Sequence, residues 1–117
     1  MMQNLIQTKR VYEEPQPTDG LRILVDRLWP RGLSKQKAKI DLWLKDIAPS
    51  NKLRKWFNHD PAKWKDFRIR YKKEISSNKN QFSLLKEAAK KNKVITIVYA
   101  ASDEEYNNAV IIKKLLK

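Results

Sequence analysis

Cysteine is absent from this chain of 117 residues. That excludes disulfides, thiolate metal sites and cysteine nucleophiles together. There is one histidine, His59, and neither a D-x-D nor an H-x-x-x-H spacing supports a tight transition-metal site. No metal and no cofactor is therefore expected. Glycine is almost missing too: Gly20 and Gly32 are the only two, which leaves no glycine-rich phosphate loop. No apolar run approaches the roughly 18–20 residues that span a bilayer, so no membrane partner is expected. The first ten residues carry no apolar block of the secretory kind, and the cytoplasm is the expected compartment.

What is present is basic charge, unevenly placed. Lysine and arginine number 26 against 13 aspartates and glutamates, a net charge of +13. Residues 1–30 balance at four basic and four acidic, and residues 94–117 at three and three. The whole excess lies in 31–93, with 19 basic and six acidic residues. Such a surface suits nucleic acid or another polyanion. It also suits plain solvated helix faces, because 19 of the whole chain's 26 cations are lysine and a dedicated phosphate reader leans on arginine. The seven arginines, Arg10, Arg22, Arg27, Arg31, Arg54, Arg68 and Arg70, are the positions where a planar fork is expected to matter.

With 41% apolar residues the chain can close one core, and a single domain over 1–117 is expected. Leu5 to Tyr12 reads as a first strand. Pro15, Pro17 and Asp19-Gly20 then make a turn. Leu21 to Arg27 reads as a second strand, and its consecutive Ile23, Leu24 and Val25 indicate burial on both faces. Only about eight residues separate these two strands, a spacing that allows a hairpin, whereas a parallel crossover usually needs a dozen or more. Ser34 caps a short helix to about Lys39; Ile40 to Leu44 is either a third strand or that helix continuing. Pro49-Ser50 opens another helix with Leu53, Trp56 and Phe57 on one side. Asp60-Pro61 starts a longer one, with Trp64, Phe67, Tyr71 and Ile75 in a stripe. A further helix spans about Gln81 to Asn92. Val94 to Ala101 is the clearest strand, and Ser102-x-x-Glu105 reads as the capping box of a last helix. The fold class is α/β: a small, mostly parallel sheet of about four strands with helices packed on it.

The most informative segment is Asp26-Arg27-Leu28-Trp29-Pro30-Arg31-Gly32. It turns a buried strand into a charged, restricted loop, which is how α/β proteins build sites at strand carboxyl ends. Asp26 reads as a general base, as a carboxylate orienting an arginine, or as half of a buried ion pair. Arg27 and Arg31 can clamp an anion, or Arg27 can cover Trp29 or tie the loop to Asp26. Trp29 is a stacking platform or a lid on the core. Gly32 supplies a turn with positive φ. Elsewhere, His59 is an acid–base candidate or a local hydrogen-bonding residue beside the Asp60 cap. Asp103 and Tyr99 end another strand, where Asp103 can act as a base or merely cap a helical turn.

Taken with Lys9-Arg10-Val11-Tyr12, Asp19-Gly20, Ala48-Pro49-Ser50, Leu53-Arg54-Lys55-Trp56-Phe57, Phe67, Arg70-Tyr71 and Tyr99-Ala100-Ala101, the block Arg22 to Gly32 resembles the YeaO-like family of small bacterial proteins, a domain-of-unknown-function family. The likeness covers nearly the whole chain, and D-R-L-W-P-R-G is its most specific part. It implies that Asp26, Arg27, Trp29, Pro30, Arg31 and Gly32 belong to a family motif. Relatives often carry His-Asn where this chain has Tyr106-Asn107, so Asn107 is the residue that carries over.

Two functions follow as expectations, and a third stands behind them. The first is a small-molecule-binding or enzymatic domain with an anion-preferring crevice. In it Asp26, Asp103 and Tyr99 are the candidate catalytic groups, and Arg27, Trp29, Arg31, Gly32, Arg54, His59 and Asn107 are the candidate ligand contacts. The second is a nucleic-acid-binding module using the basic region 31–93 interleaved with Trp43, Trp56 and Trp64, although no helix-turn-helix or RNA-binding signature accompanies it. The third is a non-catalytic interaction domain anchored by Trp29-Pro30.

Overall fold

The computed structural model describes residues 5–117. The first four residues of the expected 1–117 domain lie outside them. Four strands form one sheet: β1 (Leu5–Arg10), β2 (Leu21–Leu24), β3 (Leu42–Trp43) and β4 (Val94–Tyr99), in the order β1-β4-β2-β3. All three pairings are parallel. The hairpin allowed by the short spacing of β1 and β2 does not form. Instead β4 lies between them, pairing Leu5 with Val94 on one side and Leu21 with Ile95 on the other.

Closing β2 against β4 takes one glycine. Gly20 has φ 64° and ψ −137°, a backbone conformation that is essentially glycine's alone. A Cβ there would overlap the carbonyl oxygen of Val94 and lie 2.7 Å from the Val94 Cβ. Beside it, Asp19 is buried and ion-paired to Arg22 at 2.7 Å and to Lys9 at 3.2 Å. Arg22 also donates from Nε and Nη2 to the carbonyl of Ala38, at 3.1 and 2.8 Å. Its fork is thus spent on holding the sheet to a helix.

The sheet has two unlike faces. Ile6, Ile23, Val25, Ile95, Ile97 and Tyr99 belong to the main core. Leu44 and Ile47, just after β3, and four helices supply the rest of it: α2 (Asn51–Phe57), α3 (Trp64–Ser77), α4 (Lys79–Lys91) and α5 (Asn108–Leu116). The opposite face is thinly covered. Val11, Leu24 and Val98 meet Ala38 of the one-turn helix α1 (Lys35–Ala38), with Trp29, Leu33 and Ile40 packed against them. Ile23, Leu24 and Val25 are all fully buried, as a strand covered on both faces requires.

The helices begin and end where local chemistry directs. Ser34 and Ser50 accept the amides of Lys37 and Leu53, each at 3.1 Å, a cap that contributes about 1 kcal/mol. Lys39 takes a left-handed conformation (φ 48°) and ends α1, so the chain enters β3 rather than continuing the helix. Asp60 caps a 3-10 turn, Pro61–Lys63, that runs directly into α3. The α3 stripe buries Phe67, Tyr71 and Ile75.

The last helix departs from expectation. Ser102 and Glu105 do not cap it. The Asp103 carboxylate instead accepts the amides of Glu105 and Tyr106, at 2.9 and 3.0 Å, and holds the segment as a turn. α5 starts at Asn108, capped by Asn107, whose side chain accepts the Val110 amide at 3.0 Å. Among the described residues, no helix is long and apolar enough to cross a membrane.

Candidate functional site

Because every strand is parallel, the carboxyl ends of β2 and β4 open side by side, and the chain leaving each must turn away. Between these turns and α2 lies a crevice of about 580 Å³, within the size range of small-molecule sites. The loop from Asp26 to Arg31 forms one wall. Asn51, Arg54, Lys55 and Asn58 of α2 and its end form another, with Ala100, Ala101 and Tyr106 to Asn108 behind.

Among the described residues, Asp26 is the only carboxylate in the lining, and its oxygens are engaged. The Ala100 amide donates to Oδ2 at 2.7 Å, and Asn108 Nδ2 donates to Oδ1 at 3.3 Å and to the Val25 carbonyl at 3.0 Å. The Asp26 carbonyl accepts from Trp43 Nε1 at 2.7 Å. Burial pushes the carboxyl above the usual aspartate range; the bonds from Ala100 and Asn108 and the charge of Arg54 pull the other way without cancelling it. Asp26 therefore fastens β2 to β4 and α5.

The cations are less occupied. Arg31, Arg54 and Lys55 line the crevice and, among the described residues, form no ion pair. Arg27 reaches the Ala48 carbonyl only at 3.5 Å and Asp46 only at 3.8 Å, and its Nε is buried with no hydrogen bond. An unmet buried donor costs about 1–3 kcal/mol. Arg27 and Ala48 also form the wall shared with a second cavity of about 440 Å³, which is bounded by Asp46, Ser50, Tyr71, Glu74 and Asn78.

His59 stands at the rim. It and Asn58 are consecutive left-handed residues, φ 54° and 46°. Such conformations are sparse outside glycine, although Asn and His adopt them more readily than most. The turn places both side chains in the lining. Trp29 lines the crevice, yet it also packs on the second core cluster and donates from Nε1 to the Leu33 carbonyl at 2.7 Å. It is a lid on that cluster and a wall of the crevice together. Its neighbour Pro30 is buried, and the exposed apolar residue of the loop is Leu28, at 67%.

The structure thus brings Asp26, Arg27, Trp29, Arg31, Arg54, His59 and Asn107 to one crevice. Tyr99, Asp103 and Gly32 are not in its lining. Tyr99 is buried in the main core, and burial, then Glu104 and Glu13, raises its hydroxyl above the usual tyrosine range. The Asp103 carboxyl is lowered by the Tyr106 and Glu105 amides it accepts. Gly32 takes φ 82° with open space around it.

Among the lining residues that a reading of the sequence does not single out as site residues are Asn51, Lys55, Asn58 and Asn108. The first three have a signal. With Arg54 they fall at i, i+3, i+4 and i+7, a polar stripe on α2 that carries on through its C-cap, opposite Leu53 and Phe57. Among the described residues, no group of three acidic or histidine side chains is placed to hold a metal ion.

Comparison with known proteins finds relatives over almost the full chain. The uncharacterised protein YeaO of Escherichia coli K12 is 39% identical over 112 residues, covering 96% of each chain. An uncharacterised protein of Mycobacterium tuberculosis H37Rv is 36% identical over 111 residues, 95% of this chain and 92% of its own. No solved structure matches. Residues 5–117 match the family described as the inactive DUF488-N3 subclade. The chain belongs to that YeaO-like family.

Proposed function

We propose that this protein is a binding domain for a small anionic molecule, held in the crevice at the carboxyl ends of β2 and β4. One observation carries the proposal: three cations, Arg31, Arg54 and Lys55, surround a cavity whose single carboxylate is already engaged by Ala100 and Asn108. Charges that form no ion pair among the described residues, beside a cavity of ligand size, favour an anion that completes them. Binding is favoured over catalysis because the acids and the hydroxyl that would do chemistry have structural duties. Asp26 fastens strands, Asp103 shapes a turn, and Tyr99 is buried in the core. The description of the family as inactive points the same way.

The test is a thermal-shift screen of wild type and Arg31→Ala with phosphorylated metabolites, nucleotides and carboxylates at low and high salt. A ligand at about 100 times its dissociation constant adds roughly 2.7 kcal/mol to stability. An anion that raises the melting temperature of wild type, and raises that of Arg31→Ala much less, supports the crevice. Equal shifts in both proteins, or none with any anion, refute it.

A second reading places nucleic acid on α2 to α4, whose lysines are largely exposed. It is supported by charge but loses its stacking platforms. Arg70 and Lys63 lie over the Trp56 ring at 4.1 and 5.2 Å. Trp64 packs among Phe57, Phe67 and Tyr106, and the Trp43 indole is bonded to the Asp26 carbonyl. Oligonucleotides that stabilise both variants equally, with an effect that vanishes in salt, would favour this second reading.

A further inference from the structure

Arg27 is held by contacts that are too long and too few for a half-buried guanidinium. Its Nη1 lies 3.8 Å from Asp46 Oδ1, its Nη2 lies 3.5 Å from the Ala48 carbonyl, and its Nε has no hydrogen bond. Good charge-assisted bonds run about 2.7–2.9 Å. The side chain lines a cavity on either side and stays one-third exposed. Asp46 is 60% exposed and lines only the second cavity. Arg22 shows what a settled arginine looks like in the same protein: three donors, all within 3.1 Å of an acceptor.

We infer that Arg27 is the residue that reads the anion, and that Asp46 is an internal competitor that holds Arg27 back until the anion arrives. The inference rests on the crevice being an anion site, and it adds the chemistry that site selects. A bound group must offer two coplanar acceptor oxygens, as a carboxylate or phosphate does, so that it takes Nε and one Nη of Arg27 together. Such a ligand replaces two poor contacts with two good ones and satisfies the buried Nε. Arg27 leaves Asp46 and Ala48 as it binds, and the wall between the two cavities opens.

The test uses the full chain and inorganic pyrophosphate at constant ionic strength. The Arg27 Nε–H resonance, assigned by its disappearance in Arg27→Lys, is followed through the titration, and the dissociation constant is compared in wild type, Asp46→Asn and Asp66→Asn. Asp66 is an exposed acid of α3 outside both cavities, so it controls for the general loss of negative charge. The expected result is a saturable shift of Arg27 Nε–H. Asp46→Asn is expected to bind about two- to five-fold tighter, as much as a partly exposed ion pair can withhold, and Asp66→Asn to bind like wild type. Binding that leaves the Arg27 Nε–H unmoved, or that Asp46→Asn and Asp66→Asn alter equally, overturns the inference and leaves the crevice standing. No binding of pyrophosphate or of any screened anion overturns both.

Discussion

Replacing each of the two glycines by alanine separates the cost of conformation from the cost of space. Both sit at positive φ, Gly20 at 64° and Gly32 at 82°. At Gly32 a Cβ meets nothing within 4 Å. Its penalty is the left-handed backbone alone, about 1–2 kcal/mol, offset by about 0.4–1 kcal/mol from the stiffer unfolded chain. Gly32→Ala should therefore cost about 0–1.6 kcal/mol. At Gly20 the backbone conformation costs about 1–3 kcal/mol. The new methyl also overlaps the backbone of Val94 at the first residue of β4, which cannot rotate away. Overpacking of this kind adds about 1–3 kcal/mol. Less the same unfolded-chain offset, Gly20→Ala should lose about 1–6 kcal/mol in all. Urea unfolding followed by tryptophan fluorescence reads both, and a midpoint that shifts at unchanged slope reports stability alone. If Gly32→Ala costs as much as Gly20→Ala, close approach of β2 to β4 is not what Gly20 provides.

Two further outcomes concern Asp26 in the crevice and Tyr71 beside the second cavity. Asp26 titrates above its unfolded value, so the folded protein keeps its proton longer and ionisation costs stability. That cost is absent well below pH 3.8, the unfolded value, grows as pH rises, and is complete above the folded value. Asp26→Asn keeps an acceptor for Ala100 and escapes the cost. Its stability relative to wild type should rise between pH 3 and pH 7 in urea melts, and parallel pH profiles would rule out burial of the Asp26 charge as a source of instability. Tyr71, fully buried, donates to the Ile47 carbonyl at 2.6 Å. Tyr71→Phe strands that carbonyl and should cost about 1–3 kcal/mol, whereas an unchanged denaturation midpoint would show the bond to be dispensable.

Local chemistry in the sequence was sufficient wherever the deciding partner lies within a few residues. Ser34, Ser50 and Asp60 open their helical segments as their side chains dictate. The α3 stripe faces the core as its spacing requires. Where the partner is remote, the sequence is silent. The space between β1 and β2 is filled by β4, some seventy residues further on, and no local pattern announces a strand inserted from that distance. Ser102 and Glu105 failed as a capping box because two acceptors compete nearby. Asp103 takes the amides of the turn and Asn107 takes that of the helix. For the site, Asp26 to Arg31 was legible from an abrupt change of residue character. Asn108 was not, because its importance lies in two long-range bonds, to Val25 and Asp26.

The thin face of the sheet has a consequence for affinity. The loop from Asp26 to Gly32 forms one wall of the crevice, and through Trp29 it also closes the small apolar cluster of Val11, Leu24, Ala38 and Val98. Ordering that loop is therefore part of folding. On the proposed reading, a ligand arriving there would meet a loop backbone already fixed, with only the Arg27 side chain left to rearrange, and would forfeit little conformational entropy in binding it. The converse holds as well: a substitution that loosens Trp29 on the far side of the sheet should weaken binding without touching the ligand.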